Sequence, residues 1–175
     1  MIILLFLFLF TESGVDTTKK DIPQTVPYVD LQRYVGVWYE ISKIPNRFQK
    51  KCAGHTTAEY TLRKDGKIKV VNRCIQVDGL PKEAEGIAKV ADPVSQARLK
   101  VSFFRPLGIS LFWGDYWIIG LGQDYEYAIV GTPSRKYGWI LARKPQLSEE
   151  RLKNIFEQLK EQGYHPEDFQ MTPQD

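Results

Sequence analysis

From Tyr34 to Arg143 apolar and polar positions alternate in short runs split by turn residues, and no helical period appears anywhere between them. The run "GVWYEISKI" comes first. In "TTAEYTLRKDGKIKVVNRC" two alternating runs flank Asp65-Gly66, a dipeptide suited to a tight hairpin turn. The runs "AEGIAKV", "ARLKVSFF", "DYWIIGL", "YAIVG" and "YGWILAR" follow, separated by "ADPVSQ", the long "RPLGISLFWG", "GQDYE" and "TPSRK". About eight strands without intervening helices require hairpin connections and an antiparallel sheet, which leaves both a sandwich and a closed barrel open.

After Pro145 the period changes. Leu152, Ile155, Phe156 and Leu159 recur at i, i+3, i+4 and i+7; Ser148 can cap the start, Glu149 and Glu150 suit the first turn, and Gly163 can end it. One amphipathic helix is expected against the strands. At the other end, Ile2 to Phe10 is an unbroken apolar run. It is too short to span a bilayer, which takes about 20 residues, and has the length of a secretory h-region, although a basic n-region and an A-x-A site are missing. Residues 1–15 therefore read as a signal segment, 16–29 as a flexible lead-in and 30–172 as one domain. That reading sends the protein out of the cytoplasm, to a periplasm, an outer membrane or the extracellular space.

Composition changes this picture little. The chain has 175 residues, which suits a single core, and a net charge of +3, too slight for a concentrated nucleic-acid-binding face. Its 13% aromatic content is high. The two cysteines, Cys52 and Cys74, can pair in an oxidising compartment if a bulge near Ala53-Gly54 brings the mouth segment "KCAGHT" toward the next strand.

Three short motifs occur in order: Gly36-x-Trp38 opening the first strand, Asp124-Tyr125 in the turn between the sixth and seventh, and Arg143-x-Pro145 closing the eighth. Together with "WYEISKIP", "DGKIKVVN" and "WILARKP", they resemble the lipocalin family, in particular its apolipoprotein D and bacterial outer-membrane branch. Gln123 stands where the family usually has Thr before Asp-Tyr. The resemblance implies an all-β fold, an eight-stranded antiparallel up-and-down β-barrel or calyx, with one C-terminal helix packed outside and a short last strand near "DFQMT". It implies a ligand cavity inside the barrel, and the chain reads as a lipid carrier with no cofactor rather than as an enzyme. Physically, Trp38 is a flat plug for one end, on which the Arg143 guanidinium can stack, and Gly36 permits a close chain approach.

With Arg143 at the floor, strand alternation turns Leu141, Trp139 and Tyr137 inward. The same parity gives Tyr60, Val70, Asn72, Leu99, Val101 and Phe103, and the family pattern adds Tyr116 and Ile118, with Trp117 outside under the helix. The fourth and seventh strands offer Gly86, Ala88, Ala128 and Val130, small enough to leave volume. The lining is apolar with a few polar handles, Glu40 among them, and suits a long apolar ligand with one polar end. The mouth loops carry Arg47, Lys50, Lys51, Arg105, Arg135 and Lys136, a basic rim fitted to the head group of a fatty acid or lysophospholipid. The loop 104–115 is unusually apolar, and a membrane-docking role for it is the alternative. A Cys52/His55 nucleophile and base is the weaker enzyme alternative, and a metal held by Cys52, His55 and Cys74 is weaker still, because structural zinc normally takes four ligands.

Overall fold

The computed structural model describes residues 22–175 except 105, 106 and 108; the apolar run and Arg105 lie outside the described residues. Nine strands follow one short helix: α1 (Leu31–Tyr34), β1 (Gly36–Lys43), β2 (Cys52–Leu62), β3 (Ile68–Gln76), β4 (Pro81–Val90), β5 (Arg98–Ser102), β6 (Gly114–Leu121), β7 (Tyr127–Gly131) and β8 (Gly138–Ala142), then α2 (Glu149–Glu161) and β9 (Gln170–Met171). Each strand from β2 to β8 pairs antiparallel with the next, β8 pairs with β1, and β1 pairs with β2, so the first eight strands close into a barrel. Closure removes the free sheet edges that an open sheet would expose.

The tight turn at Gly66, with φ +75°, joins β2 to β3 in the register Tyr60 to Val70 and Leu62 to Ile68. Alternation then separates two apolar sets. Trp38, Tyr60, Ile68, Val70, Leu99, Ile118 and Val130 gather inside the barrel. Trp117, Ile119, Tyr127, Ile129 and Ile140 face outward under Ile155 and Leu159 of α2. Ser148 caps α2 by accepting from Arg151 N, and Gly163, φ +74°, ends it.

β1 crosses two surfaces. Its first half pairs with β2 from Gly36 to Tyr39; a bulge between Glu40 and Ser42 then turns it away, and Ser42 and Lys43 pair with β9. The chain end fills the seam left beside β2. His55 N donates to Pro173 O (2.7 Å), and Gln174 Nε2 donates to the carbonyls of Glu40 and Thr56 (2.8 and 2.9 Å).

The floor is built by α1 and the segment before it. Residues 22–29, expected as part of a flexible lead-in, instead cross beneath the barrel: Val26 N donates to Ile118 O (3.0 Å), Val29 N to Ser95 O (2.8 Å), and Val29 is fully buried. Their apolar positions are too few to show a period, which is why the sequence reads as unstructured there. Asp30 caps α1, and its own N–H donates to the Tyr125 hydroxyl (2.8 Å). Gly36 has φ +98°, and a side chain there would meet the Arg143 guanidinium at 3.3 Å, so both conformation and space require glycine.

Candidate functional site

Above the floor the barrel encloses a cavity of about 860 Å3 that opens toward the loops following β1, β3, β5 and β7. Its wall is assembled strand by strand. β2 and β3 supply Ala58, Tyr60, Val70 and Asn72; β4 and β5 supply Ala84, Ala88, Leu99 and Val101; β6 gives Tyr116; β8 gives Trp139 and Leu141, with Tyr137 just before it. Phe103 also faces the cavity, from beyond the end of β5, and its ring occupies the space that a side chain on Gly86 would need (2.7 Å). Gly86 therefore leaves less empty volume than its size suggests.

Two expected lining residues do not reach the cavity. Ile118 and Val130 point inward but lie wholly buried in the packed layer with Trp38 and Ala128. Parity gives the face of a strand; it does not tell which inward side chains their neighbours cover.

Tyr60 and Tyr116 stand on opposite walls, and their hydroxyls meet at 2.9 Å. Tyr34, from α1, brings a third hydroxyl to within 2.7 Å of Tyr116, while its ring lies 5.0 Å from that of Trp38. Burial pushes all three phenols up: Tyr60 to about 12, with the Glu40 carboxylate adding to the shift, and Tyr34 and Tyr116 well above the ordinary value. They stay neutral hydrogen-bonding groups. Tyr34 escapes sequence reasoning because its segment carries no strand period; the only available signal is its place four residues before Trp38.

Nearer the mouth, one wall is polar. The Glu40 carboxylate, almost fully buried, pairs with Lys43 Nζ (2.7 Å), accepts from Thr172 Oγ1 (2.7 Å) and accepts from Gln49 Nε2. Gln49 Oε1 in turn accepts from Trp139 Nε1 (3.0 Å) and Asn46 Nδ2 (2.8 Å). Asn46 Oδ1 accepts from Phe48 N and Gln49 N, so one short polar turn pins the first mouth loop to the wall. Phe48 then packs on Tyr137 at 5.7 Å. No strand alternation reaches Asn46, Phe48 or Gln49, and the sequence reading passed over them.

The cations of the mouth do not form one ring. Arg47 lines the cavity, with its guanidinium 5.1 Å from the Phe48 ring; Lys136 shares a shallow neighbouring recess with Arg47 and Tyr137; Lys50 and Lys51 stand exposed outside the wall. Lys82, from the start of β4, lines the cavity as well. Arg135, expected at the rim, is turned to the end of α2, where its Nε donates to Gln162 O (2.7 Å). The left-handed φ of +56° at Arg135 aims the side chain in a way that loop composition does not reveal.

Cys52 and Cys74 form a disulfide, and register shifts between Cys52 and Gly54 and between Gly54 and Thr57 provide the expected bulge. With its sulfur bonded, Cys52 offers no thiolate to a reaction with His55 or to a metal. In the loop after β5, Leu107, Ile109, Leu111 and Phe112 are exposed, whereas Trp113 turns to the cavity wall with Lys89 Nζ 4.3 Å from its ring centre. At the floor, Tyr125 lies under the Arg33 guanidinium (4.2 Å) and Asp124 remains in solvent. Pro145 follows the last strand at the turn into α2.

A closed eight-stranded barrel with one end plugged by Trp38 and Arg143, and the other open over an apolar cavity, defines a small-molecule carrier architecture. The lipocalin-like domain family model matches residues 29–174, and the chain belongs to that family, whose members bind small hydrophobic ligands. It is 43% identical over 161 residues to temperature-induced lipocalin-1 of Arabidopsis thaliana, covering 90% of this chain and 86% of the relative. It is 41% identical over 122 residues to the outer membrane lipoprotein Blc of Escherichia coli K12, covering 69% and 66% respectively. With rat apolipoprotein D it shares 34% over 165 residues, 85% of this chain and 83% of the relative, which sets it in the branch containing both bacterial and apolipoprotein D-like members.

Proposed function

We propose that the cavity carries a fatty acid or a lysophospholipid, for transport or storage outside the cytoplasm. The observation that carries this reading is the division of the wall: an apolar lower part, lined by Val70, Leu99, Val101 and Leu141, below a mouth where Arg47 and Lys82 face the opening. Ten buried methylenes would contribute about 8 kcal/mol before ordering costs are subtracted, enough for binding without a tight head-group contact. The cations would then set which head group is accepted. The buried Glu40 charge is already balanced by Lys43, so it does not oppose an anionic head group as a bare carboxylate would.

Titration of the delipidated protein with a long-chain fatty acid and with the alcohol of equal length tests this. The acid should bind more tightly, with an advantage that shrinks as salt is added. Equal affinities that are insensitive to salt would remove the head-group role, and no binding of either would remove the carrier reading.

The same end supports a second reading, contact with a lipid surface. Phe48, Val77, Leu80, Leu111 and Phe112 are all more than half exposed around the mouth, where apolar side chains and lysines together suit a headgroup layer. Co-sedimentation with anionic vesicles should fall in a Leu111→Asp, Phe112→Ser variant; unchanged sedimentation would exclude docking through this loop.

A further inference from the structure

The three tyrosine hydroxyls at the cavity bottom carry three protons and share only two hydrogen bonds, Tyr34 to Tyr116 and Tyr116 to Tyr60. No other described group bonds to any of the three. One O–H must therefore be left over, at Tyr60, at Tyr34, or at Tyr116 itself when both neighbours donate to it. When it is at Tyr60, the order of donation is Tyr34 to Tyr116, Tyr116 to Tyr60, and Tyr60 into the cavity, with each donor polarising the next. When the rotors turn the other way, Tyr60 instead presents a lone pair. Tyr60 and Tyr116 both line the cavity, whereas Tyr34 is sealed against Trp38. The unspent capacity faces whatever reaches the bottom of the cup.

We propose that this trio recognises an uncharged oxygen at the deep end of the ligand, so that the cavity favours chains that carry a hydroxyl or carbonyl near their far end. The inference rests on the carrier reading and adds the chemistry of the second end. A plain methyl terminus would leave the spare O–H facing hydrocarbon, an unmade hydrogen bond in a dry site. A carboxylate would fare no better. Arg143 lies on the far side of Trp38 and donates to the carbonyls of residues 33, 34, 35 and 37, so it does not face this end of the cavity. A hydroxyl can both accept from Tyr60 and donate back, and suits either direction of the chain, whereas a carbonyl accepts and suits only the direction in which Tyr60 donates.

The test compares dodecanoic acid, ω-hydroxydodecanoic acid and α-hydroxydodecanoic acid by calorimetry, using the wild type, a Tyr60→Phe variant and a Tyr60→Phe, Tyr116→Phe double variant. The quantity read is the affinity of each hydroxylated chain relative to the plain one. In the wild type the ω-hydroxy compound should bind at least as tightly as dodecanoic acid. In the double variant this ratio should fall by about tenfold, and by a smaller factor in the single variant, while the α-hydroxy ratio stays unchanged. An ω-hydroxy ratio that the substitutions leave within about twofold of wild type would overturn the proposal. So would a wild type that binds the ω-hydroxy chain about tenfold more weakly than the plain one, a comparison that needs no variant to fold. Either of these two outcomes with dodecanoic acid still bound sinks this inference alone, whereas no binding of any of the three sinks the carrier reading with it.

Discussion

The guanidinium of Arg143 lies 3.8 Å from the centre of the Trp38 ring, and its two terminal nitrogens reach four backbone carbonyls of the entering chain, at Arg33, Tyr34, Val35 and Val37. Trp38 Nε1 donates to the same Tyr34 carbonyl (2.7 Å). One side chain thus ties β8, β1 and α1 together at the closed end. Arg143→Ala should destabilise the protein by about 1–3 kcal/mol, because four carbonyls, two of them in part-buried bonds, lose a charged donor and the Trp38 ring loses its cover. Arg143→Lys should recover less than half, since an ammonium cannot reach four acceptors from above a ring. Urea denaturation of the three proteins checks the order; a lysine variant as stable as wild type would show that charge alone is needed.

The tyrosine trio gives the pH dependence a definite sign. These phenols ionise near 10 in the unfolded chain and higher in the folded one, so below pH 10 both states keep the protons and stability is unaffected. Above that, the unfolded state releases protons that the native state holds, and stability falls through about 12, where Tyr60 itself titrates. Denaturation midpoints should be flat from neutral to about pH 9 and then drop. Tyrosinate absorbance should show a late class of phenols that appears together with unfolding. All nine tyrosines titrating as one class near 10 would contradict the burial of the trio.

Glu40 and Lys43 form a nearly buried pair, with side chains 4% and 15% exposed. Glu40→Gln removes the negative partner and leaves the ammonium inside, which should lower stability by about 3 kcal/mol. A Glu40→Gln, Lys43→Met double variant should recover most of that loss, because the cost lies in the unpaired charge. Double-mutant analysis by thermal unfolding decides, and additive losses would show that the two charges do not interact.

The Cys52–Cys74 bond closes a loop across a sequence separation of 22 residues and joins the first mouth loop to β3. A Cys52→Ser, Cys74→Ser variant should lose about 3 kcal/mol while keeping the barrel, since both strands remain paired below the bulge. Denaturation with and without reductant provides the measurement; reductant should affect only the wild type.

How far the sequence could be read follows from what period two encodes. It assigns faces, so Tyr60, Val70, Leu99 and Leu141 could be turned inward, whereas in the sixth strand only the family pattern set Trp117 outward. It does not tell which inward side chains their neighbours cover, and Ile118 and Val130 are packed away from the cavity for that reason. Nor does it act beyond a strand's end, where Arg135 turns to α2. The mouth turn at Asn46 to Gln49 and the trio's third member, Tyr34, depend on contacts across long separations that only the closed barrel creates.

The central claim, an apolar chain held inside the barrel with its tail toward the tyrosines, is tested most directly by isotope-filtered nuclear Overhauser spectroscopy with a uniformly carbon-13-labelled fatty acid. The account predicts contacts from the terminal methyl to Tyr60, Tyr116 and Leu99, and from the carbons beside the carboxylate to residues of the mouth such as Phe48 and Trp139. Contacts confined to the exposed loop at Ile109, Leu111 and Phe112, with none to the inner wall, would contradict it.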